Sequence, residues 1–146
     1  MAVARGRGRL YLDIKNAGLA EPIAKVLRQL GIGAEHVLVG VGSTQETGEF
    51  QRALPGVEVV RLIDTPQHWP ADLFTRFKQE GLWGIELGDD FPAGFMGEAV
   101  AHDLPLLAYT INDRAMMARL VEQGVRGIET DDPALLVSVL ELLGVH

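Results

Sequence analysis

Short apolar runs rich in branched residues alternate six times with helix-patterned segments along this chain. That rhythm narrows the fold more than any single motif. Strands are expected over residues 10–15, 36–42, 57–64, 84–89, 105–112 and 127–131. Helical periodicity is clearest in three of the intervening stretches. Over 20–30, Ile23, Val26, Leu27 and Leu30 form one stripe, and over 115–121 Met116, Met117 and Leu120 repeat it. Over 133–143 the apolar positions are Leu135, Leu136, Val139, Leu140 and Leu143. Gly31, Gly81 and Gly124 stand where helices should stop, because glycine enters a left-handed cap without steric cost. Pro133 suits the first turn of the last helix and Asp132 the cap before it, since proline lacks an N–H that would be unpaired there anyway.

Strand–helix–strand alternation implies a parallel sheet with right-handed crossovers. No linker or shift in composition divides the 146 residues, so one domain over 1–146 is expected. Two architectures fit the pattern: an open doubly wound sheet, and a (β/α) barrel missing two of its eight units. Periodicity alone favours the open sheet, because a barrel of six strands leaves edges unpaired.

Composition excludes some functions. A net charge of −7 argues against coating nucleic acid and suits a soluble, cytoplasmic protein. The absence of cysteine removes disulfides and thiolate metal sites. No apolar run reaches the ~20 residues of a membrane span. The start, from Met1 through Arg5, Arg7 and Arg9, alternates arginine with glycine and lacks the apolar region of a signal peptide. It reads as a frayed basic terminus.

Side chains alternate along a strand, so Tyr11, Asp13 and Lys15 share one face and Leu10, Leu12 and Ile14 the other. In a barrel the helix-facing side must be apolar. Asp13 and Lys15 would then look into the lumen at the C-terminal mouth, where barrel active sites lie. A carboxylate there can hold a hard divalent cation, and an ammonium two residues on can meet a phosphate oxygen. On an open sheet the same two residues are an ordinary solvated ion pair. Glu86 shares a side with Gly84 and Gly88 and is a second candidate ligand. His68, in Thr65-Pro66-Gln67-His68-Trp69-Pro70, reads as a loop or packing residue. His36, His102 and His146 fall at a strand start, in a helix and at the terminus. Gly40-Val41-Gly42 is too sparse for a dinucleotide fingerprint. Tyr109 reads as a core tyrosine, and Asn112 or Asp113 as the cap of the helix that follows, with Asn112 preferred.

Three segments, in order and spacing, resemble the glycerophosphodiester phosphodiesterase family. Leu12-Asp13-Ile14-Lys15 is similar to the acid–hydrophobe–Lys motif of the family's third barrel strand. Tyr109-Thr110-Ile111-Asn112 stands where the family has Trp-Thr-Val-Asn. Gly124-Val125-Arg126-Gly127-Ile128-Glu129-Thr130-Asp131-Asp132-Pro133 resembles Gly-Val-Asp-Gly-Ile-x-Thr-Asp-x-Pro, with Arg126 replacing the Asp. The resemblance implies an α/β fold, an incomplete TIM-type (β/α) barrel of about six parallel strand–helix units lacking the first two. It thereby reverses the preference for an open sheet. It also implies that Asp13 is a ligand of a divalent cation (Mg²⁺ or Ca²⁺), that Lys15 contacts a phosphodiester and that Tyr109 walls the pocket. The activity it implies is hydrolysis of glycerophosphodiesters to glycerol 3-phosphate and an alcohol, within lipid metabolism. Thr130 to Asp132 would cap the last helix.

The family's His-Arg-Gly motif, its Glu-x-Asp metal pair and the histidine of the following loop have no counterpart in this sequence. Gly42-Ser43-Thr44 also departs from the family's Ser-Phe after the fourth strand. One carboxylate is a poor site for a cation that takes six or more oxygens. No pair of histidines is available as general base and acid. The expectation is therefore an enzyme inactive or incomplete by itself. The alternatives are a non-catalytic barrel remnant or interaction module, and an unrelated small α/β binding domain. Unpaired edges at residues 10–15 and 127–131 predict a homo-oligomer.

Overall fold

The structure, a computed structural model, describes residues 8–63, 68–88, 90 and 92–145. The arginines of the start up to Arg7, Asp64, the segment Thr65-Pro66-Gln67, Asp89 and His146 lie outside the described residues. Strands and helices alternate as the periodicity predicts. They are β1 (Leu10–Asp13), α1 (Ala20–Gln29), β2 (Val37–Val41), α2 (Thr44–Ala53), β3 (Glu58–Leu62) and α3 (Leu73–Gln79), followed by β4 (Gly84–Leu87), α4 (Ala93–Ala101), β5 (Leu106–Ala108), α5 (Arg114–Glu122), β6 (Gly127–Ile128) and α6 (Pro133–Leu143). Each strand is shorter than its apolar run. The β-patterned residues beyond a strand's end go into the loop at its C-terminal rim.

The chain forms two compact units, one of residues up to Leu62 with Thr75–Trp83, the other of Ile63–Phe74 with the residues from Gly84 onward. In the first, β1 pairs with β2 and β2 with β3, all parallel, in registers that set Asp13 beside Gly40 and Val41 beside Arg61. Val37, Val39, Val41 and Val59 are wholly buried. They share the face that Arg61 turns toward α2, where its guanidinium meets Thr47. α1 lies against α2. The buried stripe of α1 is Ala20, Ala24 and Leu27, whereas Val26 and Leu30 are half exposed. This corrects the stripe expected from the larger apolar residues. Alanines allow a close approach to the sheet, so the helix turns that face inward and leaves Val26 and Leu30 to solvent. α2 starts on a serine cap: the Ser43 hydroxyl accepts from the Glu46 N–H at 3.2 Å and donates to its carboxylate at 2.8 Å.

In the second unit β4, β5 and β6 follow the same parallel, sequential order, with Glu86 beside Leu107 and Leu107 beside Gly127. One face packs Ala108 and Ile128 against Met117, Leu120, Val139, Met116 and Leu135 of α5 and α6. Leu107 lies on the other face, over Gly127, where a Cβ would come within 3.1 Å of the Leu107 Cγ. Among the described residues neither unit contains the reversal of strand order that a doubly wound sheet needs. No described helix is long and apolar enough to cross a membrane.

Helices end in a repeated way. Gly31, Gly81, Gly124 and Gly144 take positive φ of 67°, 70°, 91° and 69°, and Asp103 takes 50° after α4. The next residue in each case is apolar and its N–H reaches back five residues: Ile32 to Leu27, Leu82 to Phe77, Leu104 to Ala99, Val125 to Leu120 and Val145 to Leu140. That bond closes the last helical turn and drops the chain back onto the core. The expected caps at Gly31, Gly81 and Gly124 are borne out.

Candidate functional site

β1 brings Asp13 and Lys15 together. The Ile14 N–H donates to the Gly40 carbonyl at 3.0 Å, so the strand register persists one residue past β1. Asp13 and Lys15 therefore extend from the same face, and the Lys15 ammonium meets the Asp13 carboxylate at 2.6 Å. Tyr11 shares that face. Its ring end lies over Gly40, where a Cβ would collide with the Tyr11 hydroxyl and sit 2.8 Å from the Leu62 Cδ1. The glycine in Val39-Gly40-Val41 is thus explained by a tyrosine on the neighbouring strand rather than by a phosphate cradle. Both charges are open to water, with 35% of the Asp13 side chain and 72% of Lys15 exposed. An ion pair so exposed adds little stability. It keeps an ammonium and a carboxylate at one strand end where an anionic ligand can reach them.

In the second unit, Tyr109 continues from β5, with its N–H donating to the Leu87 carbonyl at 3.1 Å. It is half buried on the side of Leu107, away from α5 and α6. Glu86 shares this side, as its alternation with Ile85 and Leu87 requires, and it is 1% exposed. His68 is exposed.

The ends of β5 and β6 are joined by a side chain that periodicity assigns elsewhere. The Asn112 carbonyl oxygen accepts from the Thr130 hydroxyl and from the Asp131 N–H, both at 2.9 Å, and its amide donates to the Asp131 carboxylate at 2.8 Å. The expected capping role of Asn112 is corrected here: Asp113 caps α5, accepting from the Met116 N–H at 2.8 Å. An amide carries both donor and acceptor and can clasp a neighbouring strand end, whereas a carboxylate only accepts, which is what a helix N-terminus needs. Asp132 caps α6 through the Leu135 N–H at 2.9 Å, and the Thr130 hydroxyl accepts from the Asp132 N–H at 3.0 Å, as expected. Replacing Asn112 with Ala removes three hydrogen bonds at an exposed position. It should cost about 1–2 kcal/mol by urea denaturation. Asp113→Ala should cost about 1 kcal/mol, the loss of a cap. Equal, negligible losses would mean the clasp is not formed.

Among the described residues no group of three or more His, Asp or Glu side chains is placed to hold a metal ion. Asp13 offers one carboxylate, already matched by Lys15. This donor set does not fit a hard divalent cation, which takes six or more oxygens.

No protein-family model matches the chain, and no curated protein is similar to it in sequence. Solved structures are similar in fold. One is a Silicibacter pomeroyi protein provisionally assigned as a glycerophosphoryl diester phosphodiesterase: TM-score 0.78, 22% identity, 94% of this chain and 51% of that one covered. Another is an Oleispira antarctica phosphodiesterase in complex with the product sn-glycerol-3-phosphate: TM-score 0.75, 20% identity, 91% and 55% covered. A third is a glycerophosphodiester phosphodiesterase from Parabacteroides distasonis: TM-score 0.72, 16% identity, 93% and 58% covered. The chain spans about half the length of these structures. Its fold is theirs over that span: six parallel strand–helix units of an incomplete TIM-type barrel.

Proposed function

We propose that this chain serves glycerophosphodiester hydrolysis by binding the phosphodiester, with Lys15 as the phosphate contact. The observation that carries this reading is the 2.6 Å pairing of Asp13 and Lys15 at the C-terminal end of β1, in a fold similar to that of a phosphodiesterase bound to sn-glycerol-3-phosphate. An ammonium is a compact point charge with three donors, suited to a non-bridging phosphate oxygen. When phosphate arrives, Asp13 keeps that ammonium aimed along the strand. Asp13 would also be one ligand of a Mg²⁺ or Ca²⁺ ion whose remaining oxygens come from another segment. The described residues do not supply an acid–base pair to protonate the leaving alcohol. On this reading the chain binds the product class and does not turn over substrate by itself. The same reading places it in the cytoplasm, where a chain of net charge −7 stays dissolved.

A second reading, a non-catalytic barrel module, is favoured by the mutual neutralisation of Asp13 and Lys15. Calorimetry with sn-glycerol 3-phosphate separates the two. The first expects saturable binding that Lys15→Ala weakens about tenfold, the loss of one charge-assisted contact. The second expects none. Alcohol release from glycerophosphocholine in Mg²⁺ or Ca²⁺ should match the protein-free blank. Turnover abolished by Asp13→Ala would instead show a complete cation site. Equal turnover in both proteins would remove Asp13 from the chemistry.

A further inference from the structure

The tip of Tyr11 is placed by a neighbour that has no side chain. Tyr11 is in register with Leu38 of β2, and Asp13 with Gly40. Of the atoms that a Cβ at Gly40 would meet, the Tyr11 hydroxyl is the nearest. The ring therefore leans across to β2 and two residues toward the C-terminal end of the strands. Its hydroxyl finishes on the level of Asp13, where adjacent strands lie ~5 Å apart. The Asp13 carboxylate meets the Lys15 ammonium at 2.6 Å, so phenol, carboxylate and ammonium gather at one end of β1. We infer that the Tyr11 hydroxyl reads the glycerol end of a ligand whose phosphate Lys15 holds, and so sets a preference for hydroxylated phosphate esters. The inference rests on the phosphate-binding reading of Lys15.

Charge and exposure set the orientation. Lys15 is the outermost group, with 72% of its side chain exposed against 35% for Asp13, and Tyr11 is half buried. A phosphate dianion is repelled by the Asp13 carboxylate and takes the ammonium from the solvent side. A neutral hydroxyl meets no such repulsion. On the Asp13 level it can donate to the carboxylate and share a hydrogen bond with the phenol. A phenol both donates and accepts, so a bond made within the chain leaves it a second for the ligand. The surroundings of the phenol are otherwise apolar. Leu62 brings its Cδ1 to the same point above Gly40, and Val60, the register partner of Gly40 on β3, is wholly buried. An ester arm without hydroxyls gains neither polar contact there.

Calorimetry with three probes tests it: sn-glycerol 3-phosphate, n-propyl phosphate, which has the same carbon chain without hydroxyls, and inorganic phosphate. The wild type should bind the glycerol ester about fivefold more tightly than the propyl ester, the worth of one neutral hydrogen bond. Tyr11→Phe keeps the ring and should bind the two esters alike, with the propyl ester and inorganic phosphate bound as by the wild type. Gly40→Ala drives the phenol from its place and should erase the preference in the same way. Circular dichroism checks that both variants are folded. Lys15→Ala should weaken all three probes about tenfold while the ratio between the esters stays at about fivefold. A wild type without the preference overturns the inference and spares Lys15. So does a folded Tyr11→Phe that keeps the preference, or one that weakens all three probes equally, as a purely structural tyrosine would. If Lys15→Ala binds every probe as the wild type does while Tyr11→Phe erases the preference, the phosphate reading falls and the phenol contact stands. No binding of any probe overturns both.

Discussion

Glu80→Ala should destabilise the protein by about 3 kcal/mol, the cost of leaving a buried cation without its counter-charge. Arg61 projects from β3 into the layer between strands and helices, with 7% of its side chain exposed. Its guanidinium donates to the Glu80 carboxylate at 2.7 Å and to the Thr47 hydroxyl at 2.8 Å, and lies 5.5 Å from the centre of the Phe77 ring. The second Glu80 oxygen accepts from the Thr44 hydroxyl at 3.0 Å, and the Thr47 hydroxyl donates to the Ser43 carbonyl at 3.0 Å. Removing the carboxylate therefore strands a charge in a place with little water. Arg61→Met, alone or with Glu80→Ala, removes that charge as well, so the double variant should be more stable than Glu80→Ala. Urea midpoints at unchanged m-value measure both. A loss below about 1 kcal/mol for Glu80→Ala would mean that water reaches Arg61.

Phe95→Ala should cost about 3–5 kcal/mol, the range for truncating a buried aromatic. Phe95 is wholly buried, edge-on to Trp69 with ring centres 5.1 Å apart and tilted against Phe74 at 4.9 Å. Phe74 in turn stacks on the His102 ring at 5.5 Å. The substitution would empty the middle of this group and loosen Trp69, one of the two tryptophans. A red shift in Trp69 emission, measured in a Trp83→Phe background, should accompany the lost stability. Phe95→Leu retains much of the volume and should recover most of both. An unchanged emission spectrum would show that Trp69 is held by something other than Phe95.

Much of the fold was legible because it is written in local signals. Six apolar runs became six strands, and Gly31, Gly81, Gly124, Asp132 and Pro133 did at the helix ends what backbone stereochemistry demands. The meeting of Asp13 with Lys15 was legible for the same reason, since two-residue spacing on a strand fixes a common face. The stripe on α1 was misread because ranking by size favoured Val26 and Leu30 over two alanines. The role of Asn112 was misread because its partners lie 18 and 19 residues away. The Ser43 cap of α2 stood in the sequence as Ser-x-x-Glu and is a signal that could have been read. Arg61 and Glu80 could not have been. A charge inside a strand normally marks the wet face, and only the tertiary fold brings Thr47, Phe77 and Glu80 to meet it.

The shared ending of five helices, a left-handed step and then an apolar residue bonded five positions back, has a consequence for tolerance to insertion. Each boundary is encoded by two adjacent amino acids instead of by whatever module comes next. Extra residues spliced in just after such a stop would swell a connector while the following strand kept its pleat.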